Sequence, residues 1–179
     1  MNYRRLYIPD SIVFITIVTA KRRKILVENI NILRDAFKKT IISFKYEIYA
    51  VCVLPEHMHF LIKPYKINDY PKIIQQLKRN FSQNIDKNSI DNYVLTESNA
   101  KRKECDIWQH RYYEHTIRSE NDLSRHIDYI HYNPVKHNLV SAPKDWKYSS
   151  FKKFVKQGLY EENWCNFEDK YKINKLNYE

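Results

Sequence analysis

The chain has 179 residues, with 31 Lys and Arg against 21 Asp and Glu and a formal net charge of +10 at pH 7. This length predicts one domain with its own hydrophobic core. Three cysteines are too few for a disulfide framework. No secretory leader pattern and no apolar stretch of membrane-spanning length occurs, so we expect a cytoplasmic protein without membrane contact. The positive charge favours an anionic partner, most commonly nucleic acid.

Strands and helices are predicted to alternate along the chain. β-branched and aromatic runs predict strands, and apolar residues at three- and four-residue intervals predict helices. The segments are a strand over 11–19, a helix over 29–44, strands over 46–53 and 54–62, a helix over 71–85, a strand within 107–118, and a third helix that starts after Ser119 or Asn121 and is limited by Pro134. This order predicts an α+β, ferredoxin-like split-βαβ fold, an antiparallel sheet with helices packed mainly on one face.

Two segments lie outside this pattern. Residues 86–103 are polar with little periodicity, and they predict a long loop or insertion. The aromatic residues from Ser141 onwards predict a tail that packs against the domain. We therefore divide the chain into a main domain over residues 1–140 and a C-terminal tail over 141–179.

A His-x-His pair lies in the third predicted strand. Side chains alternate across a strand, so His57 and His59 point to the same face. Two imidazoles one pleat apart can hold a divalent metal ion, although two ordinary, partly buried histidines fit the pattern equally well. The preceding Glu56 either orients His57 by a hydrogen bond or is a turn residue at the strand start.

The third predicted helix carries possible partners for this pair. Tyr129 and Asn133 are four residues apart, so they share a helix face if the last turn reaches Asn133. A tyrosine hydroxyl can attack phosphorus and form a covalent phosphotyrosine, and an amide oxygen one turn on could complete a metal site. Packing is the competing interpretation, because the chain has 15 tyrosines. Tyr132 is the nearest rival, but it breaks the four-residue spacing to Asn133.

Several motifs, taken in order, resemble one family, the REP-associated tyrosine transposases of the single-tyrosine HUH transposase superfamily. The resemblance covers roughly residues 3–155 and rests on Leu54-Pro55-Glu56-His57-Met58-His59, Trp108-Gln109, Tyr113-Glu114-His115-Thr116-Ile117-Arg118 and His126-Ile127-Asp128-Tyr129-Ile130-His131-Tyr132-Asn133-Pro134-Val135-Lys136-His137.

The resemblance implies an enzyme with a ferredoxin-like catalytic domain, here residues 1–140. Such an enzyme cleaves and rejoins single-stranded DNA next to hairpins through a 5′-phosphotyrosine intermediate, with Mg²⁺ or Mn²⁺ as cofactor. Motif matching would make Tyr129 the nucleophile and His57, His59 and Asn133 the metal ligands. By ligand softness, however, two imidazoles and an amide suit zinc, nickel or copper better than magnesium until DNA oxygens join the shell.

Basic residues are the candidate DNA contacts. Arg4, Arg5 and Arg22, the last within the run 21–24, fit phosphate contacts, and the many tyrosines fit base stacking. His115 and Arg118, inside the matched motifs, would contact phosphate or support the site, with core roles equally compatible. The expected partner is single-stranded DNA with a hairpin, and the sequence favours neither a monomer nor a dimer.

Two other functions stay open. The same topology serves RNA-binding modules, which carry exposed aromatic residues on their central strands, so a non-catalytic single-stranded nucleic-acid-binding module is one alternative. The other is a metal-dependent nuclease without a covalent intermediate, which would use activated water and need no tyrosine.

Overall fold

The computed structural model describes residues 7–90, 93 and 106–165. Four strands form one antiparallel sheet in the order β2-β3-β1-β4. The strands are β1 (Val13–Val18), β2 (Tyr46–Val53), β3 (His57–Pro64) and β4 (Tyr113–Thr116), and the helices are α1 (Ile30–Ser43), α2 (Tyr70–Asn84), α3 (Glu120–Lys136) and α4 (Phe151–Lys156). This order confirms the predicted α+β, split-βαβ fold.

The two faces of the sheet bury different sets of side chains. Val13, Ile15 and Ile17 of β1 belong to a core shared with α1 and α2. Phe14 points to the opposite face, where it joins a second core with Tyr129 and other residues of α3. The alternation of a strand thus separates a structural face under α1 and α2 from a face under α3. The sequence did not indicate that α3 has a face of its own.

Helix α3 is longer than predicted. Ser119 caps its start, since its Oγ accepts a hydrogen bond from the Asp122 amide at 3.1 Å. Its predicted end was wrong, because the helix runs through Pro134 to Lys136. Pro134 has no N–H to donate within the helix, but the His137 amide still donates to the Asn133 carbonyl at 3.0 Å. Asn133 therefore lies inside the helix, one turn after Tyr129.

The chain after α3 returns to the edge of β2. The Val53 amide donates to the Tyr148 carbonyl, and the Ser150 amide donates to the Val51 carbonyl, both at 2.9 Å. The Trp146 indole also donates to the Val53 carbonyl at 3.0 Å. These bonds cover backbone groups that an edge strand would otherwise expose. The division at residue 140 stays a prediction.

The predicted insertion lies mostly outside the described residues. Its first part forms a short 3-10 helix over Lys87–Ser89. Within the described ranges, no helix is long and apolar enough to cross a membrane.

Candidate active site and metal centre

His57 and His59 lie together on the sheet face that α3 covers. In the β1–β3 register, His57 is opposite Val18 and His59 is opposite Thr16. Both side chains are buried, and their ring centroids are 4.9 Å apart. The Tyr129 ring packs 5.2 Å from the His59 ring. Asn133 is buried one helical turn further on, so the structure gathers the residues that the sequence singled out.

Each histidine has an outer partner on its Nδ1 atom. His57 Nδ1 lies 3.0 Å from Glu56 Oε1, and His59 Nδ1 lies 2.8 Å from Thr16 Oγ1. A carboxylate accepts hydrogen bonds, so the network assigns the His57 proton to Nδ1. Thr16 Oγ1 can accept from His59 in the same way. Both Nε2 atoms then carry a lone pair, as metal-ligating imidazoles require.

The atoms on the inner side of the site, away from Glu56 and Thr16, have no hydrogen-bond partner among the described residues. His57 Nε2, His59 Nε2 and both side-chain polar atoms of Asn133 are buried and unsatisfied. A buried polar atom without a partner costs about 1–3 kcal/mol, and such atoms are rare in folded proteins. A cation bound by two imidazole nitrogens and an amide oxygen would satisfy three of them. The donor set therefore fits a divalent metal ion.

The surroundings of His59 and Glu56 keep each of these side chains in the charge state that a metal site requires. Burial lowers the pKa of His59 well below its usual value, proximity to His57, His137 and Lys136 acts in the same direction, and the interaction with the Asn133 side chain opposes them in part. A neutral imidazole is the form that binds metal. The hydrogen bond from His57 lowers the pKa of Glu56 against the opposing effect of burial, so Glu56 remains a carboxylate.

Tyr129 is completely buried in this arrangement. Lys136 Nζ donates a hydrogen bond to the Tyr129 hydroxyl oxygen at 3.3 Å and lies 5.0 Å from the ring centroid. His137 packs its ring 4.9 Å from that of His57. Our sequence interpretation missed both residues. Their signal was helical spacing, because positions seven and eight after Tyr129 return to the same face after two turns.

His115 belongs to a second histidine group. The possible metal-binding atoms of His115, Asp122 and His126 all lie within 4.8 Å of one another. Asp122 accepts from both rings, at 2.8 Å from His115 Nε2 and 3.1 Å from His126 Nδ1. The two imidazoles stack with an interplanar angle of 11°, so their lone pairs do not converge on one point. His126 Nδ1 is also 2.8 Å from the Asp122 carbonyl oxygen. Hydrogen bonds to Asp122 therefore already use one nitrogen of each ring.

The remaining predicted residues have different surroundings. The Arg118 side chain is exposed, while its amide donates to Asp122 Oδ2 at 3.0 Å. Arg22 is exposed and lies 3.9 Å from Glu56. Its neighbour Arg23 is taken up by a 2.8 Å ion pair with Asp106. Arg4 and Arg5 lie outside the described residues.

Fold and site together indicate a nucleic-acid-processing enzyme, and comparison with protein families agrees. The model of the family "Transposase IS200 like" matches residues 9–133 of this chain. The match spans more than half of the chain and includes both histidines, Tyr129 and Asn133. The chain belongs to the IS200-like transposases, a family of DNA-processing enzymes.

Individual relatives place the chain within this family. It is 41% identical over 165 residues to the "Putative REP-associated tyrosine transposase" of Haemophilus influenzae, covering 91% of this chain and 92% of the relative. It is 34% identical over 166 residues to the REP-associated tyrosine transposase of Escherichia coli, covering 92% and 90%. A solved REP-associated tyrosine transposase bound to a REP hairpin matches with a TM-score of 0.76 and 32% identity, covering 93% and 92%. The predicted membership of the REP-associated tyrosine transposases is confirmed.

Proposed function

We propose that this protein cleaves and rejoins single-stranded DNA next to hairpins through a covalent bond between Tyr129 and a 5′ phosphate. The observation that carries the proposal is the packing of the Tyr129 ring 5.2 Å from that of His59, whose inner nitrogen is buried and unsatisfied. The relative solved with a REP hairpin supports hairpin DNA as the partner. Chromosomal DNA as substrate would place the activity in the cytoplasm.

The proposed reaction is a reversible transesterification. Tyr129 Oη attacks the scissile phosphorus while the bond from phosphorus to the 3′ oxygen breaks. The tyrosine proton passes to solvent, and the departing 3′ oxygen takes up a proton to become a hydroxyl. In rejoining, a 3′-OH attacks the phosphotyrosine and Tyr129 leaves. Because one phosphodiester replaces another, the energy of the cleaved bond is retained.

Three side chains would hold the metal ion. His57 and His59 would bind it through Nε2 and Asn133 through Oδ1, while Glu56 and Thr16 fix the two imidazoles from outside. When bound, Mg²⁺ or Mn²⁺ supplies polarisation of the scissile phosphate. By ligand softness, the protein without DNA would bind zinc or nickel more tightly than magnesium.

The buried state of the site sets a condition for substrate entry. Tyr129, His59 and Asn133 each have 0% exposure, so a phosphate cannot reach the hydroxyl without displacing a covering side chain. Lys136 is half-buried and contacts that hydroxyl. We propose that a covering side chain other than Lys136 moves when DNA enters, so that the contact of Lys136 with the hydroxyl is kept.

The sheet argues against the binding-module alternative. Such modules use exposed aromatic rings on their central strands as stacking platforms. Here the central strands are β1 and β3, and their rings Phe14 and Phe60 are fully buried under helices on opposite faces. The central strands therefore offer no such platform.

The deciding experiment compares Tyr129→Phe with Tyr132→Phe on single-stranded hairpin DNA in Mn²⁺. The second variant is a matched control, since Tyr132 is also buried and on the same helix. We expect Tyr129→Phe to lose cleavage by at least about 1,000-fold, together with the covalent adduct seen on denaturing gels. It should retain hairpin binding in a mobility-shift assay. Tyr132→Phe should form the adduct.

Other outcomes would decide against the proposal. Cleavage by Tyr129→Phe at the wild-type rate would favour the nuclease that uses activated water. Loss of the adduct only in Tyr132→Phe would move the nucleophile to that residue. A wild-type protein that binds the hairpin and never cleaves it would be a binding module.

A further inference from the structure

Lys136 touches the atom that the proposed function makes the nucleophile. Its Nζ atom is 3.3 Å from the Tyr129 hydroxyl oxygen and 5.0 Å from the ring centroid. A lysine in the last turn of a helix commonly extends into solvent, where it interacts favourably with the helix dipole. Lys136 instead turns back along α3 over two turns and lies against a buried ring.

The direction of this hydrogen bond is fixed by chemistry. A lysine ammonium has three donors and no acceptor, so the tyrosine oxygen must accept. A donor with a full positive charge interacts more strongly with an anionic oxygen than with a neutral one. The contact is therefore strengthened whenever negative charge develops on Tyr129 Oη. Burial strengthens it further, because the ring and its surroundings exclude water.

We infer that Lys136 is a further catalytic residue, whose ammonium stabilises negative charge on Tyr129 Oη both when this oxygen attacks phosphorus and when it leaves during rejoining. The inference rests on the proposed tyrosine chemistry and adds a residue to it. His137 is the other cation-forming residue at this end of α3, but it packs against His57. The two residues therefore serve different parts of the site.

With Lys136 in this role, the bonds and protons of the reaction remain balanced in both directions. In cleavage, the tyrosine proton goes to solvent while the charged Lys136 remains hydrogen-bonded to the attacking oxygen. In rejoining, the bond from Oη to phosphorus breaks, and the oxygen leaves with its electron pair next to the same ammonium before a solvent proton neutralises it. Lys136 keeps its own protons throughout, so no additional acid or base is required.

The test compares Lys136→Ala and Lys136→Arg with Lys152→Ala, an exposed lysine on α4 that has no role in the site. Single-turnover cleavage and rejoining are measured at saturating hairpin DNA with Mn²⁺. Removing one preorganised donor from a developing oxyanion costs about 10²–10³-fold in rate. The contact is long, so we expect a loss of about 10- to 100-fold in both directions for Lys136→Ala. Lys136→Arg should recover part of it, and Lys152→Ala should match the wild type.

Chemical rescue separates the charge of Lys136 from its bulk. Ethylammonium should enter the space left in Lys136→Ala and restore cleavage in a saturable way, while ethanol of similar size should not. Neither compound should accelerate the wild type. A role limited to packing would give equal rescue by both compounds, or none by either.

Three results would overturn the inference. The first is cleavage and rejoining by Lys136→Ala at wild-type rates, with Tyr129→Phe still inactive; this removes Lys136 and leaves the tyrosine chemistry intact. The second is that Lys136→Ala binds DNA more weakly, with the salt dependence of binding reduced by about one ion, but cleaves at the wild-type rate when DNA is saturating. This result would make Lys136 a phosphate contact. The third is the absence of any adduct in the wild type, which removes the proposed function and this inference with it.

Discussion

The face of the sheet under α3 carries two histidine groups that differ in how their rings are oriented and in which residues bind them, with interplanar angles of 82° between His57 and His59 and 11° between His115 and His126. In the first, His57 and His59 have hydrogen-bond partners only on their outer nitrogens, and the inner ones are buried and unsatisfied. In the second, His115 and His126 share the carboxylate of Asp122. Phe14 separates the groups, with its ring 5.8 Å from that of His59 and 4.7 Å from that of His126.

The difference shows that donor type alone does not identify a metal site. Two imidazoles and a carboxylate are the better ligand set by composition. In this protein, however, stacking turns the second pair of rings parallel, and Asp122 accepts hydrogen bonds from one nitrogen of each ring. The first group has the weaker amide donor, but its lone pairs are available. Ring orientation is therefore more informative than donor type, with an interplanar angle of 82° between His57 and His59 and 11° between His115 and His126.

The largest expected effect is on cleavage, and it should differ between the two histidine groups. His59→Ala should reduce Mn²⁺-dependent cleavage by at least about 100-fold, because even outer partners of a metal ligand typically account for 10–100-fold in affinity or activity. His126→Ala, an equally buried histidine on the same face, should lose less than about tenfold. Mn²⁺ affinity measured by calorimetry and cleavage measured on gels should change together. Loss of metal binding in His126→Ala alone would reverse our assignment.

An intermediate effect concerns stability. Asp122→Asn replaces one of the two oxygens that accept from His115, His126 and the Arg118 amide with an NH2 donor, which should cost about 1–3 kcal/mol, near the lower limit because Asp122 is 22% exposed. Urea denaturation measures this loss, and Asp145→Asn at an exposed site is the control. Mn²⁺ affinity should not change. A tenfold loss of Mn²⁺ affinity in Asp122→Asn would show that the second group also holds metal.

The same carboxylate should make stability depend on pH. Burial raises the pKa of Asp122, but hydrogen bonds from His115 and the Arg118 amide, with the charges of both histidines, lower it overall. A carboxyl with a depressed folded-state pKa contributes stability above its unfolded value near 3.8, and this contribution is lost as the pH falls further. The difference in unfolding free energy between wild type and Asp122→Asn should therefore shrink below about pH 4.

The smallest expected effect comes from a histidine outside both groups. Burial lowers the pKa of His131 from 6.5 to about 3, so the unfolded chain binds a proton that the folded chain does not. Stability must then fall with decreasing pH, by about 1 kcal/mol for this residue between pH 6.5 and 5.5. His131→Asn should remove that share of the slope in urea denaturation at several pH values. An unchanged slope would mean that His131 takes up its proton over the same pH range in the folded and the unfolded chain.

The parts of the site that follow from local periodicity were predictable. The two-residue period of a strand placed His57 and His59 on one face, and the four-residue spacing of a helix joined Tyr129 to Asn133. The structure confirms the strands and helices that these patterns predicted, with shifts of a few residues at their ends. The continuation of α3 through Pro134 was missed because the bias before proline is a local rule, which the hydrogen bonds of the helix end override.

The amino-acid sequence by itself determined the order of elements, the common face of the two histidines and the family, because these depend on patterns along a few residues or on whole motifs. Only the tertiary structure decided that Thr16 supports His59 and that His115 reaches Asp122. Both contacts join residues on different elements, whereas the contact of Lys136 with Tyr129 lies within α3, where helical spacing permits it. No spacing along the chain specifies how two imidazole rings are oriented once the elements have packed, and in this protein the parallel stacking of His115 and His126 distinguishes their group from the proposed metal centre.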